Sequence, residues 1–97
     1  MADKAFHVKL LTREGVALED QAVSVVAPGE LGYLGVLYNH APLVTTLKPG
    51  KFTWRTPAGA RRTVQVGDGL LEISKNRLTV LTSSVTEPAG STTRQGA

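Results

Sequence analysis

The 97-residue sequence predicts an all-β fold, a flattened antiparallel sandwich or barrel of about eight to ten short strands. Three observations lead there. No apolar stripe of helical period is sustained over about 11 residues anywhere in the chain. Short alternating runs rich in β-branched and aromatic residues recur instead. Gly, Pro, Asn and Asp bound these runs and mark the turns between them.

The elements follow in order. Phe6, Val8 and Leu10 alternate with His7 and Lys9, as a half-buried strand requires. Val23 and Val25 flank Ser24 in a second run that Pro28-Gly29 ends. Leu43–Leu47 is β-prone, and Phe52 and Trp54 face away from Lys51, Thr53 and Arg55. Thr56-Pro57-Ala58-Gly59 reads as a turn with Pro at its second position, so Arg61–Val66 returns as the other arm of a hairpin. Gly67-Asp68-Gly69 breaks the chain before Leu70–Ile73. Ser74-Lys75-Asn76 reverses it, with Asn76 suited to a left-handed conformation, and Leu78 and Val80 lie on the last strand. The expected core is Phe6, Val8, Leu10, Val23, Val25, Leu43, Leu47, Phe52, Trp54, Val64, Val66, Leu71, Ile73, Leu78 and Val80.

A chain of this length makes one domain with a single thin core. The expected division is a β-sandwich over 1–82 and a flexible tail over 83–97, where "SSVTEPAGSTTRQGA" holds too little apolar surface to order itself. There is no cysteine, so neither disulfides nor a thiolate metal site contribute. The mixed charges of Met1–Lys9 do not read as a signal sequence. Residues 31–47 carry no Asp, Glu, Lys or Arg, but Gly32, Gly35, Asn39, His40 and Pro42 break that stretch, and it is too short to span a bilayer. No direct membrane insertion is expected.

The net charge of +3 is unevenly laid out. Glu14, Glu19, Asp20 and Glu30 fall in a segment without Lys or Arg, whereas Lys48, Lys51, Arg55, Arg61 and Arg62 fall in one without acids. Such asymmetry suits a charged protein interface or nucleic acid. As a nucleic-acid surface the basic hairpin would use Phe52 and Trp54 for stacking. They share a strand face opposite Lys51 and Arg55, so core packing explains them better. A small basic nucleic-acid-binding β-barrel is therefore the alternative reading, not the favoured one.

Two further temptations are weak. Gly29, Gly32 and Gly35 have the spacing G-x-x-G-x-x-G, which matches neither a dinucleotide fingerprint nor a P-loop, and Pro42 and Pro49 forbid the helix that either needs. The glycines instead permit turns and close backbone approach. His40 as a general base would need a nucleophile and an orienting partner, and its nearest carboxylate in sequence is Glu30. With two histidines and no cysteine, neither catalytic, cofactor nor metal residues are expected.

Leu34-Gly35-Val36-Leu37, then His40-Ala41-Pro42-Leu43, then Leu47-Lys48-Pro49-Gly50 resemble the ε subunit of F-type ATP synthases, whose mitochondrial counterpart is δ. "FHVKLLTREGVAL", "QAVSVVAPGELG", "GDGLLEIS" and "NRLTVLT" are similar to the family's strands in the same order, so the resemblance covers about residues 5–82. It implies a flattened β-sandwich in the central rotor stalk that packs on the γ subunit and sits on the polar loops of the membrane c-ring. Such a subunit is non-catalytic, binds no cofactor, and works inside a hetero-oligomeric complex that couples ion-driven rotation to ATP synthesis. Its place would be peripheral on the cytoplasmic face of a bacterial plasma membrane, or the stroma or matrix side in an organelle. The surface expected to meet γ and the c-ring is a loop comprising Gly32, Tyr33, Leu34, Gly35, Leu37, Tyr38, Asn39, His40, Ala41 and Pro42, with Gly32 and Gly35 providing its sharp turns.

Two departures from the family pattern matter. Tyr33 stands where an acidic residue commonly contacts the c-ring loop, so stacking or hydrogen bonding must replace a salt bridge there. Tyr38-Asn39 stands where Pro-Gly is usual before the histidine. The family also continues into a C-terminal helical hairpin that can inhibit ATP hydrolysis and in some members binds ATP. Pro88, Gly90, Ser91 and Gly96 occupy the region where it would begin, so neither self-inhibition nor an ATP site is expected on this chain.

Overall fold

In the computed structural model, which describes residues 4–87, the alternating runs of the sequence become strands and no helix occurs among the described residues. Ten strands follow one another: β1 (Phe6–Thr12), β2 (Gly15–Ala22), β3 (Ser24–Gly29), β4 (Gly32–Leu37), β5 (Leu43–Leu47), β6 (Gly50–Arg55), β7 (Arg61–Val66), β8 (Gly69–Ser74), β9 (Arg77–Thr82) and β10 (Val85–Thr86). Hydrogen-bonded neighbours run β10-β7-β6-β3-β5-β8-β9-β1-β2, with β4 paired to β3 outside that path.

The path bends at β3. Ser24–Val26 pair with Thr53–Arg55 of β6, whereas Gly29 pairs with Leu47 of β5. Two layers result, β4-β3-β6-β7-β10 and β5-β8-β9-β1-β2, and their inward side chains form one core cluster. The molecule is flattened, 34 × 33 × 25 Å. Strands joined by short turns are antiparallel because a brief connection allows nothing else. The first and ninth strands are under no such constraint, and they run parallel, from His7↔Arg77 to Leu11↔Leu81.

The expected core residues are buried except two. Leu43 is half-buried against the core, and Val23 lies in the bend before β3, where its N–H donates to Arg55 O at 2.8 Å. Alternation in the third strand therefore starts one residue later than expected. Ala22, Ala27 and Val36 complete the core. The Thr56–Gly59 turn is closed by Gly59 N–H to Thr56 O at 2.9 Å, with Gly59 at φ 95°. Between β8 and β9, Lys75 and Asn76 both have positive φ, 51° and 60°, as a two-residue type I′ hairpin requires. The left-handed conformation thus falls on Lys75 as well as on Asn76.

The folded body extends past Thr82, where composition placed its end. Val85 and Thr86 pair with Val66 and Gln65 of β7, and Val85 packs against the core. One valine suffices for so short a strand, too little to alter the composition of the segment. The rest of the expected tail, 88–97, lies outside the described residues.

Between β2 of one layer and the β6–β7 hairpin of the other, a polar bridge stands where there is no backbone pairing. Trp54 Nε1–H donates to Asp20 Oδ2 at 2.9 Å, and Arg62 Nε lies 3.8 Å from the same oxygen. Trp54→Phe and Asp20→Ala should each lower stability by about 1–3 kcal/mol, since a hydrogen bond to a charged group is lost each time. In urea denaturation the double variant should cost less than the sum of the singles, because both remove one interaction. At Gly69 a Cβ would stand 2.1 Å from Leu81 O and 2.8 Å from Thr82 Cα. Neither backbone atom can yield without opening β8 from β9, so Gly69→Ala should destabilise by about 1–3 kcal/mol or more. Thermal melting checks that.

Candidate functional site

The stretch expected as an exposed loop folds mostly as a hairpin. β3 and β4 pair along their whole length, from Ser24↔Leu37 to Gly29↔Gly32, around the two-residue turn Glu30-Leu31. Gly32 has φ 134°, and a Cβ on Gly29 would stand 2.7 Å from both Gly32 O and Leu34 Cδ2. These two glycines are what the turn demands. Glu30 turns toward the other layer: its N–H donates to Thr46 O at 3.2 Å, and the Thr46 hydroxyl donates to its carboxylate. Leu31 is left without cover, at 104% relative exposure.

Strand alternation then sorts the predicted residues. Tyr33 and Leu37 are exposed, at 60% and 63%, and share the outward face with Gly35 and with Val26, the cross-strand partner of Gly35. Val36 is buried and Leu34 half-buried against the core, so Leu34 does not belong to the exposed surface. Gly35 is not a turn residue: it sits mid-strand, and a Cβ there would meet only Val25 O, at 3.9 Å. Its effect is to leave a dip between Tyr33 and Leu37. The alternation of Gly-Tyr-Leu-Gly-Val-Leu is weak because two members lack side chains, which is why the strand reads as a loop in the sequence.

The true loop is residues 38–42. Asn39 has φ 64°, and His40 N–H closes the turn onto Leu37 O at 3.1 Å. Two further hydrogen bonds anchor the loop to the β8–β9 turn: Asn39 N–H donates to Asn76 Oδ1 at 2.7 Å, and Asn76 Nδ2–H to Asn39 Oδ1 at 3.0 Å. Tyr38, Asn39, Ala41 and Pro42 are exposed and His40 is half-buried. The His40 ring donates from Nδ1 to Ala41 O at 2.7 Å, a contact within its own loop, and no carboxylate hydrogen-bonds it among the described residues. His7 does meet a carboxylate, Glu19 Oε2 at 2.8 Å, on the outer face of the other layer. Lys9 Nζ lies 3.9 Å from the same Glu19 oxygen, so the pair is part of a surface charge cluster.

Two residues that sequence reading left out belong to the same surface, Leu31 and Val26. Leu31 had a usable signal: in a Gly-x-x-Gly hairpin the middle residues point away from both strands. Val26 had none, because both neighbours in the run Val25-Val26-Ala27 are apolar too. Phe52 and Trp54 are 0% and 2% exposed, which removes the aromatic platform that the nucleic-acid alternative needs. A groove of about 520 Å³ between β2 and the β6–β7 hairpin is lined by Glu19, Asp20, Trp54, Arg61, Arg62 and Glu87, so it is not a uniformly basic surface. No group of three or more His, Asp or Glu comes together among the described residues.

A two-layer sheet whose β3–β4 hairpin exposes Val26, Leu31, Tyr33 and Leu37, and whose other layer exposes Val44, Leu70 and Leu81, with the His40 ring engaged by its own loop, has the features of a β-sandwich interaction domain. The family described as ATP synthase, Delta/Epsilon chain, beta-sandwich domain matches residues 5–88, and the chain belongs to it. The ATP synthase epsilon chain of Moorella thermoacetica is 42% identical over 77 residues, covering 79% of this chain and 58% of the relative. That of Natranaerobius thermophilus is 39% identical over 82 residues, covering 84% and 58%. The chain thus spans little more than half of the relatives it matches. Among solved structures, the Euglena gracilis mitochondrial ATP synthase, resolved as OSCP/F1/c-ring, contains a chain superposing with a TM-score of 0.77 at 17% identity, over 81% of this chain and 51% of that one. A chain of the central stalk/c-ring of the Tetrahymena thermophila mitochondrial enzyme gives 0.72 at 14%, over 92% and 71%. At such identities the likeness is one of fold.

The Asn39–Asn76 pair should hold the loop in place. Asn76→Ala removes both side-chain hydrogen bonds and puts alanine at φ 60°, for a combined cost of about 2–3 kcal/mol. Asn76→Gly keeps the backbone relaxed and should cost about 1 kcal/mol less. Guanidinium unfolding of the two variants separates the hydrogen bonds from the backbone term.

Proposed function

We propose that the chain is a non-catalytic subunit of the central rotor stalk of an F-type ATP synthase, joining the γ subunit to the polar loops of the c-ring. Ion-driven rotation of the ring would then reach the catalytic sites through γ. The observation that carries this reading is the exposed face of the β3–β4 hairpin, whose one charge is Glu30 at the tip, with Leu31, Tyr33 and Leu37, and Tyr38 next in the chain, presented to solvent in a chain of the delta/epsilon family. Exposed apolar side chains gathered in this way favour burial against a partner. The matched relatives are named ATP synthase epsilon chain, and the structural neighbours belong to assemblies titled by F1, central stalk and c-ring.

A mechanical role also fits the physics of the scaffold. Torque transfer needs a body that does not shear, and a sandwich whose layers share a strand resists shear without chemistry. The 38–42 loop, with His40, Ala41 and Pro42, extends the same surface toward the β8–β9 turn. As part of such a complex the subunit would lie peripherally on the cytoplasmic face of a bacterial membrane; among the described residues no helix is long and apolar enough to cross one.

Size exclusion of the chain with the γ subunit of its synthase tests this reading, and co-elution at micromolar concentration is expected. Tyr33→Ala and Leu37→Ala should each weaken the complex about tenfold, equivalent to about 1.4 kcal/mol, as truncated interface anchors do. Both lie outside the core, so melting temperatures should stay within a few degrees. His40→Ala should likewise disturb attachment or coupling with little loss of fold stability. Separate elution of the unaltered chain and γ would count against the proposal.

A further inference from the structure

The hairpin presents a backbone edge as well as side chains, and the geometry points to its use: we propose that the free edge of β4 accepts an extended strand from a partner subunit. This rests on the rotor-stalk reading and adds how the contact is made. Among the described residues β4 pairs only with β3, so its second edge has no strand beside it. The register says which groups are free. Gly29↔Gly32 flanks a two-residue turn and is a hydrogen-bonded pair, and such pairs alternate along an antiparallel ladder. Pro28, which has no N–H, faces Tyr33 in a non-bonded position, as that alternation requires. Tyr33, Gly35 and Leu37 therefore aim their N–H and C=O groups away from β3. Of these, Leu37 O already accepts from His40 N–H. The N–H groups of Tyr33, Gly35 and Leu37 and the C=O groups of Tyr33 and Gly35 remain.

Natural sheets protect such edges with charge, bulges or brevity. The other margins of this fold do so. β2 carries Glu19 and Asp20, and its pairing with β1 is bulged at Leu10/Leu11. β10 has two residues. β5 is closed at one end by Gly29 and by Glu30 N–H on Thr46 O. β4 has six residues and no charge, within a segment free of charge from 31 to 47. An edge left open in this way in a protein that guards its others is a place for a strand to add.

The surface also specifies the occupant. Gly35 leaves a dip between Tyr33 and Leu37, and a large apolar side chain on the incoming strand, opposite Gly35, would fill it. The incoming segment is thus extended, uncharged and apolar at that position. A second copy of this chain fits poorly: two β4 strands related by a two-fold through Gly35 would set glycine against glycine and leave the dip empty. The structural neighbours come from multi-subunit assemblies, which supply other chains.

Amide hydrogen exchange by NMR, on the labelled chain alone and in complex with the γ subunit, tests this. In the chain alone, the Tyr33, Gly35 and Leu37 amides should exchange quickly, and those of Leu34 and Val36, bonded to β3, slowly. In the complex the three fast amides should slow at least 100-fold. Burial of side chains alone would not give this alternating pattern. Gly35→Pro removes an edge N–H without touching the β3 ladder, and it should weaken binding at least tenfold while Leu34 and Val36 stay protected. A complex in which Tyr33, Gly35 and Leu37 still exchange quickly would overturn strand addition and leave the rotor-stalk reading standing. Failure to form any complex would overturn that reading itself. Concentration-dependent protection of the three amides in the chain alone would make a second copy the occupant and overturn the assignment to a partner.

Discussion

One strand holds the two layers together. β3 gives its first half to β6 and its last residue to β5 while pairing with β4 throughout. A strand can do this only if it bends at the point where it changes layers. Pro28-Gly29 is that point. Pro28 accepts Lys48 N–H at 3.0 Å without needing a donor of its own, and Gly29 fits where a Cβ would meet Gly32 O and Leu34. The layers therefore share a covalent strand at one margin instead of merely stacking. The β3–β4 hairpin grows out of that corner, and Glu30, by bonding Thr46, fixes its tip to the opposite layer. A force on the hairpin is carried into both sheets through hydrogen bonds and backbone, not through side-chain packing alone.

The opposite margin is built differently. There β2 faces the β6–β7 hairpin without backbone pairing, and Trp54–Asp20 crosses the gap with Arg62 beside it. Asp20 also accepts Gln21 N–H at 2.8 Å, but the Trp54 indole N–H has no other acceptor among the described residues, so loss of the aspartate would leave a part-buried donor unpaired. Tryptophan suits the place because its ring fills the core while its N–H reaches the margin. Phe52, two residues earlier on the same face with ring centroids 5.9 Å apart, continues the packing inward. One margin is closed by the main chain and the other by side chains meeting at Asp20, which makes the β3 side the stiffer of the two.

The fold was legible where side chains alternate strongly. Phe6-Val8-Leu10, Phe52-Trp54, Leu71-Ile73 and Leu78-Val80 state both period and face, and they form the core as expected. Legibility fails where a face is marked by glycine or by apolar residues on both sides. Gly32-Tyr33-Leu34-Gly35 hides a strand behind two missing side chains, and Val25-Val26-Ala27 conceals that Val26 points out. β10 was invisible because a two-residue strand depends on β7 being in place, a tertiary condition that no local pattern carries. Lys75 at positive φ is a similar case, since the turn type imposes it against the preference of the residue. Of the candidate surface, the location was readable from its lack of charge. Its division into exposed Tyr33 and Leu37 and inward Leu34 and Val36 required the register.

That register bears on what a tyrosine at position 33 contributes where an acidic residue would offer an ion pair. An exposed ion pair contributes about 0–1 kcal/mol and weakens with salt. A tyrosine more than half exposed in the free chain offers apolar area whose burial is worth about 25 cal/mol per Å² and is insensitive to ionic strength. Tyr33 also keeps a polar end for hydrogen bonding, and it borders the Gly35 dip, with Leu37 on the far side and Val26 across the strand. The contact that this hairpin can make is thus set by shape and main-chain pairing more than by charge. A contact of that kind fixes its partner's register, since a slip of one residue would turn the partner's side chains to the other face.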